Sequence, residues 1–145
     1  MILISHRGNL EGPNTDIENN PERIRQVIEM KFDVEVDVWL HKNRWYLGHD
    51  EPQYEIDFTF LNNAGLWCHA KNLAALDGML SAGNIHCFWH QHDDFTITSR
   101  GIIWAYPGMP ITKNAVAVMP DNALDVRGAY GICADNILEI GGHHD

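Results

Sequence analysis

The sequence predicts an α/β fold: a single domain over residues 1–145 whose largely parallel sheet forms a compact barrel of seven to eight strands with reduced outer helices. Three observations predict it. Short apolar runs rich in Val, Ile, Trp, Tyr and Phe recur along the chain, each ending in polar or ionisable residues. Several are apolar at nearly every position, as suits a parallel sheet buried on both faces. Helix signals stand between the early runs with short connections, which is the order of βα units.

The first run, residues 2–5, leads into His6-Arg7-Gly8. Asn20 then reads as the cap of a helix with Pro21 at its first position, and Ile24, Val27 and Ile28 share one buried face. Residues 33–39 form the second run. A hairpin excursion follows it, because Trp45-Tyr46-Leu47 returns after the polar turn His41-Lys42-Asn43-Arg44. Residues 66–70 form the third run, and a second helix is expected to start at Asn72, bury Leu73, Leu76 and Leu80 and stop at Gly83. The remaining runs, 85–89, 101–106, 115–119 and 130–134, start 14 to 16 residues apart. A full crossover unit needs about 30 residues, so these later connections are expected to be turns or loops. The tail Gly141-Gly142-His143-His144-Asp145 reads as a frayed end.

Twenty acidic side chains against ten basic ones give a formal charge of −10. No cluster of Lys or Arg supplies the basic stripe of a nucleic-acid binder, and the same deficit disfavours an anionic membrane surface. No apolar run approaches the ~18 residues of a membrane span. The chain opens without the pattern of a secretory signal, so a cytoplasmic location is expected. Cys68, Cys87 and Cys133 are odd in number and scattered, which points to reduced thiols. A small anionic substrate stays compatible with this charge if a metal ion or a few local cations offset the field.

Ionisable residues gather at the ends of the apolar runs. His6 closes the first, Glu35 and Asp37 share a face of the second, His69 and Lys71 share a face at the end of the third, and His49-Asp50 closes the hairpin excursion. Active sites of parallel α/β barrels are built at such C-terminal strand ends. The bland alternatives are an exposed edge strand for the acidic pair, a satisfied core histidine for His6 and a surface lysine for Lys71. The Cys/His-rich stretch from His86 to His92 matches no closed structural zinc site.

The segments His6-Arg7-Gly8, Glu18-Asn19, Glu35-Val36-Asp37-Val38, His49-Asp50 and His69-Ala70-Lys71 come in the order and approximate spacing seen in glycerophosphodiester phosphodiesterases. The chain resembles an unusually short member of that family, which shares a TIM-barrel superfamily with phosphatidylinositol-specific phospholipase C. The resemblance is specific over about the first half of the chain. It implies a TIM-like (β/α) barrel that hydrolyses a small glycerophosphodiester-like substrate to a phosphomonoester and an alcohol. It further implies His6 and His49 as general acid and base, and Glu35 and Asp37 as holders of one divalent metal ion, Mg²⁺ or Ca²⁺. Arg7 and Lys71 would face the phosphate, and Glu18-Asn19 matches the family's Glu-Asn pair before the first helix.

One departure concerns the metal. Where the family usually has a third carboxylate, two residues before the lysine, this chain has His69. Either His69 ligates and tilts the site toward Mn²⁺ or Zn²⁺, or it does not ligate and the metal is held more weakly. His90 and Trp104 are further candidates for lining the pocket. The nucleophile would be either the substrate's neighbouring hydroxyl or water. Two other functions remain: a catalytically inactive barrel serving as a metal- or phosphoanion-binding module, and a phospholipase-like enzyme on lipid head groups. The lack of a membrane-facing surface counts against the second. Reduced outer helices leave surface to be covered, and a homodimer is one way to cover it.

Overall fold

A computed structural model describes residues 1–142; His143, His144 and Asp145 of the tail lie outside the described residues. The elements run β1 (Ile2–His6), α1 (Pro21–Glu29), β2 (Asp33–His41), β3 (Arg44–Leu47), β4 (Tyr54–Ile56), β5 (Leu66–Ala70), α2 (Leu73–Ala82), β6 (Cys87–Phe88), β7 (Phe95–Ile97), β8 (Ile103–Ala105), β9 (Ala115–Val118), β10 (Gly131–Ala134) and α3 (Ile137–Gly142). Single 3-10 turns stand at Phe58–Asn62 and Ala123–Val126.

The expected barrel is corrected here. In place of a TIM-like barrel with alternating helices, the described residues form one curled mixed sheet of ten strands, a half-barrel carrying three short α-helices. The sheet runs β4-β3-β2-β1-β10-β9-β8-β7, with β5 also pairing β2 and β6 pairing β5. Its middle is parallel, while β3 and β4 on one side and β7 on the other are antiparallel. The physical reason lies in chain length. The segments joining β6 to β10 are too short for a crossover helix each, so β7 and β8 pair as a hairpin and the helical layer covers only part of the sheet.

Alternation along the central strands divides the core in two. Val34, Val36 and Val38 of β2 pack with Ile24 and Val27 of α1 and with Ala75 and Met79 of α2. On the concave face Ile4, Trp67, Phe88, Trp104, Val116 and Cys133 form a second cluster drawn from six different strands. Such a cluster requires the sheet to curl. Glu35 and Asp37 alternate with the valines and therefore point to the same side as Trp67 and Ile4.

The first helix forms as its sequence indicates: the Asn20 side chain accepts from the backbone N–H of Glu22 at 2.9 Å and of Arg23 at 3.3 Å. The second begins at the Asn72 cap and ends at Gly83 in the left-handed conformation, φ +79°. Its buried face differs from the expected one. Leu73 is 76% exposed and Leu80 53% exposed, while Ala75 and Met79 are buried. The helix is apolar almost all round, so its pattern selects no face. The orientation is set instead by Asn72, whose Nδ2 donates to the Leu40 carbonyl at 2.9 Å. The expected fraying is also corrected at Gly141, which belongs to α3 and sits against Leu3 and Phe32. All three cysteines are free and buried. Among the described residues no helix is long and apolar enough to cross a membrane.

Candidate metal centre and cleft

Strand register brings the site together. β1 pairs β2 in parallel with His6 opposite Glu35, and β2 pairs β5 with Asp37 opposite His69. On the other flank β1 pairs β10 with Ser5 opposite Ala134, so Asp135 follows one step beyond. Four neighbouring strands thus bring these side chains together: His6, His69 and Asp135 from at or beside the C-terminal ends of β1, β5 and β10, and the acidic pair from within β2.

Glu35 is 2% exposed and Asp37 fully buried, which excludes the edge-strand alternative. His69 Nδ1 lies 3.3 Å from Asp37 Oδ1 and 3.6 Å from Glu35 Oε2. Glu35, Asp37 and His69 each offer one ligand-type atom within 4.8 Å of the others. Two oxygens of this group, Glu35 Oε1 and Asp37 Oδ1, are buried without a hydrogen-bond partner. An unsatisfied buried carboxylate oxygen is costly, and a cation would satisfy both. The residues present therefore fit a divalent metal ion.

The other Asp37 oxygen is already engaged. Oδ2 accepts from Asn19 Nδ2 at 3.0 Å and lies 3.1 Å from Arg7 Nε, while the Asp37 backbone N–H donates to Asn19 Oδ1 at 2.9 Å. Arg7 Nε makes an ion pair there rather than a hydrogen bond. Burial works to raise the Asp37 pKa, but His69, Arg7 and Asn19 outweigh it and hold the group well below the ordinary carboxylate range. Burial likewise opposes protonation of His69, yet the Asp37 and Glu35 carboxylates lift its pKa to about 9. Without a cation, His69 thus serves as the counter-charge of the acidic pair.

His6 Nδ1 lies 2.7 Å from Asp135 Oδ1, an acceptor, so Nδ1 carries the proton and Nε2 faces Glu35 Oε1 at 3.9 Å. Burial works to lower the His6 pKa; the bond to Asp135 and the charge of Glu35 prevail and raise it. Asn9 Nδ2 ties Asp135 Oδ1 at 2.9 Å to Glu18 Oε2 at 3.0 Å. Asp135 and Asn9 are absent from the sequence-based set. Asp135 carries the same signal as His6, an ionisable residue at the C-terminal end of an apolar run; Asn9 carries none.

One cleft of about 570 Å³ is lined by His6, Arg7, Glu35, His49, His69, Lys71, His90 and Trp104 among others. Asp37 lies beneath it. Glu18 and Asn19 open instead onto an adjoining recess of about 170 Å³ that shares Arg7 and His49 with the cleft. Arg7 lines the cleft with its guanidinium held between Glu18 Oε1 at 3.3 Å and Asp37, and its backbone is left-handed at φ +58°. Lys71 is half-buried at the end of β5, its backbone N–H donating to Val38 O at 2.8 Å. His49 is exposed, with Nδ1 2.8 Å from Asp50 Oδ1, and shares the cleft with His6 without touching it. His90 Nε2 donates to Asp93 O at 2.6 Å, and Trp104 packs against Phe88 with ring centres 4.7 Å apart.

The arrangement combines a buried two-oxygen, one-nitrogen ligand set, an imidazole oriented by a carboxylate, and cationic side chains on one concave surface. No protein-family model, curated protein or solved structure matches the chain, so the chemistry of the site rests on its own geometry.

Proposed function

We propose that the chain is a cytoplasmic, metal-dependent phosphodiesterase that hydrolyses a small glycerophosphodiester-like substrate to a phosphomonoester and an alcohol. One observation carries the proposal: the buried, unbonded Asp37 Oδ1 and the Glu35 carboxylate face the imidazole nitrogen of His69, and the unbonded Glu35 Oε1 faces a second imidazole that Asp135 orients into the same cleft. Glu35, Asp37 and His69 would hold the ion, which when bound supplies Lewis-acid neutralisation of the phosphate oxygens.

The chain's own residues do the rest. Lys71 adds positive charge to the phosphate position. His6, with Nδ1–H given to Asp135, keeps Nε2 free to take a proton from the nucleophile. His49, which lines the same cleft, would return a proton to the leaving alkoxide. Arg7 holds Asp37 and Glu18 in place, so it acts on the acidic pair more than on the substrate. The segments shared with glycerophosphodiester phosphodiesterases support the choice of substrate class.

The test is a metal-replete activity screen over a panel of glycerophosphodiesters and bis(p-nitrophenyl) phosphate. Turnover that needs added metal and disappears in His6→Ala and Glu35→Gln is expected. A folded, metal-bound chain without turnover on the whole panel would refute the proposal. That outcome would favour a metal- or phosphoanion-binding module, the second function, to which one observation already points: Arg7 is occupied by Glu18 and Asp37, leaving fewer cations free for a reacting phosphate.

A further inference from the structure

We infer that the Glu35–Asp37–His69 centre is selective for a borderline transition-metal dication of the Zn²⁺ type over Mg²⁺ and Ca²⁺, with His69 binding through Nδ1 and held in that tautomer by the chain after β6. The inference rests on the metal site of the proposed function and not on phosphodiester hydrolysis.

The tautomer follows from one contact. His69 Nε2 lies 2.8 Å from the backbone carbonyl of His90. A carbonyl only accepts, so Nε2 keeps its proton, and Nδ1, the nitrogen that faces Asp37 and Glu35, is the one that gives up its proton and offers the lone pair when an ion binds. The ring cannot easily turn away. Phe88 stacks on it with centres 5.0 Å apart and planes 7° from parallel. The His90 carbonyl is itself held, because the His90 side chain bonds to Asp93 O at 2.6 Å. A ligating histidine whose other nitrogen donates to a backbone carbonyl is the outer-layer arrangement that fixes ring orientation and raises ligand basicity.

The donor set then selects the ion. Mg²⁺ and Ca²⁺ are bound through oxygen, Ca²⁺ by six to eight of them, whereas imidazole suits Zn²⁺ and its neighbours. Oxygens are scarce here. Asp37 has only Oδ1 to give, since Oδ2 is taken by Asn19 and faces Arg7. Three protein ligands beside an open cleft match the ligand count of catalytic zinc sites, which leave one position for water or substrate.

The full chain, stripped with a chelator, would be titrated with Zn²⁺, Mg²⁺ and Ca²⁺ by calorimetry at one pH, beside His69→Asp and Glu35→Gln. One Zn²⁺ site is expected, absent in Glu35→Gln, and in His69→Asp the preference for Zn²⁺ over Mg²⁺ should fall at least about tenfold. Long-range ¹H–¹⁵N spectra of the imidazoles should show the His69 Nδ1 resonance moving on Zn²⁺ addition while Nε2 keeps its proton. Equal affinity for Zn²⁺ and Mg²⁺, an unchanged preference in His69→Asp, or Zn²⁺ at Nε2 would overturn the inference. Should His69→Asp fail to fold, the wild-type spectra alone decide. Selective Zn²⁺ binding without diester hydrolysis would sustain this inference and sink the enzyme proposal; hydrolysis supported by Mg²⁺ with no Zn²⁺ preference would do the reverse.

Discussion

Asn19 should be the principal lock on Asp37, and replacing it with alanine tests that directly. It is 1% exposed and its amide makes two bonds to Asp37, one to the carboxylate and one from the backbone N–H. A hydrogen bond to a charged group contributes about 1.5–3 kcal/mol and a neutral one about 0.5–1.5 kcal/mol. Asn19 also sits at φ +62°, where alanine is disfavoured by roughly 1–2 kcal/mol and asparagine less so. Water entering the space would recover part of this, so Asn19→Ala should cost about 4 kcal/mol. For a chain of this size that is a fall in Tm of roughly 10–15 °C. Urea denaturation and calorimetry read both quantities. Asn19→Gly removes the same bonds without the backbone penalty and should be about 1 kcal/mol more stable than Asn19→Ala. A loss below about 1.5 kcal/mol in Asn19→Ala, or a glycine variant no better than the alanine one, would refute the reasoning.

Other outcomes follow from the same geometry. A divalent ion at ~100 times its Kd should stabilise the chain by about 2.7 kcal/mol, seen as a rise in Tm that Glu35→Gln abolishes. Asp135→Asn should leave the fold intact but lower kcat/KM by on the order of 10² or more, because the imidazole of His6 loses its orienting carboxylate; its acidic limb should shift to lower pH as the lifted His6 pKa falls. His86, buried between the Trp67 ring and Thr98 Oγ1, has its pKa lowered to about 4 by burial and by nearby Arg100. The unfolded chain takes up that proton near pH 6.5 and the folded chain only near 4, so this contribution is complete above pH 6.5 and lost as pH falls toward 4. Between pH 7 and 4.5 wild type should therefore lose on the order of 2 kcal/mol more than His86→Gln, measured by urea denaturation at both values.

Much of the site was legible in linear order because parallel strands in register bring ionisable residues at or near the ends of neighbouring apolar runs beside an acidic pair within the second run. His6, Glu35, Asp37 and His69 each close an apolar run or stand within one, and the structure sets them in adjacent register. Asp135 follows the same rule and was open to the same inference. Other features had no linear signal. Asn9 bridges Asp135 and Glu18 from a turn, and Arg7 spends its charge on buried carboxylates that only the folded chain places beside it. The edge strands β4 and β7, three residues each, are too short for a period to show.

The sequence by itself determined the central strands, the first helix with its cap, the hairpin after β2 and the residue types available to the site, because these depend on local periodicity and capping chemistry. Tertiary structure alone decided that the sheet curls as an open mixed half-barrel, that α2 buries Ala75 and Met79, and that His69 presents Nδ1 to the acidic pair. Those outcomes depend on which strand edges find partners and on single contacts between residues far apart in the chain, such as Asn72 with Leu40 and His69 with His90. Distances of that kind are set by packing the whole domain, and no local pattern carries them.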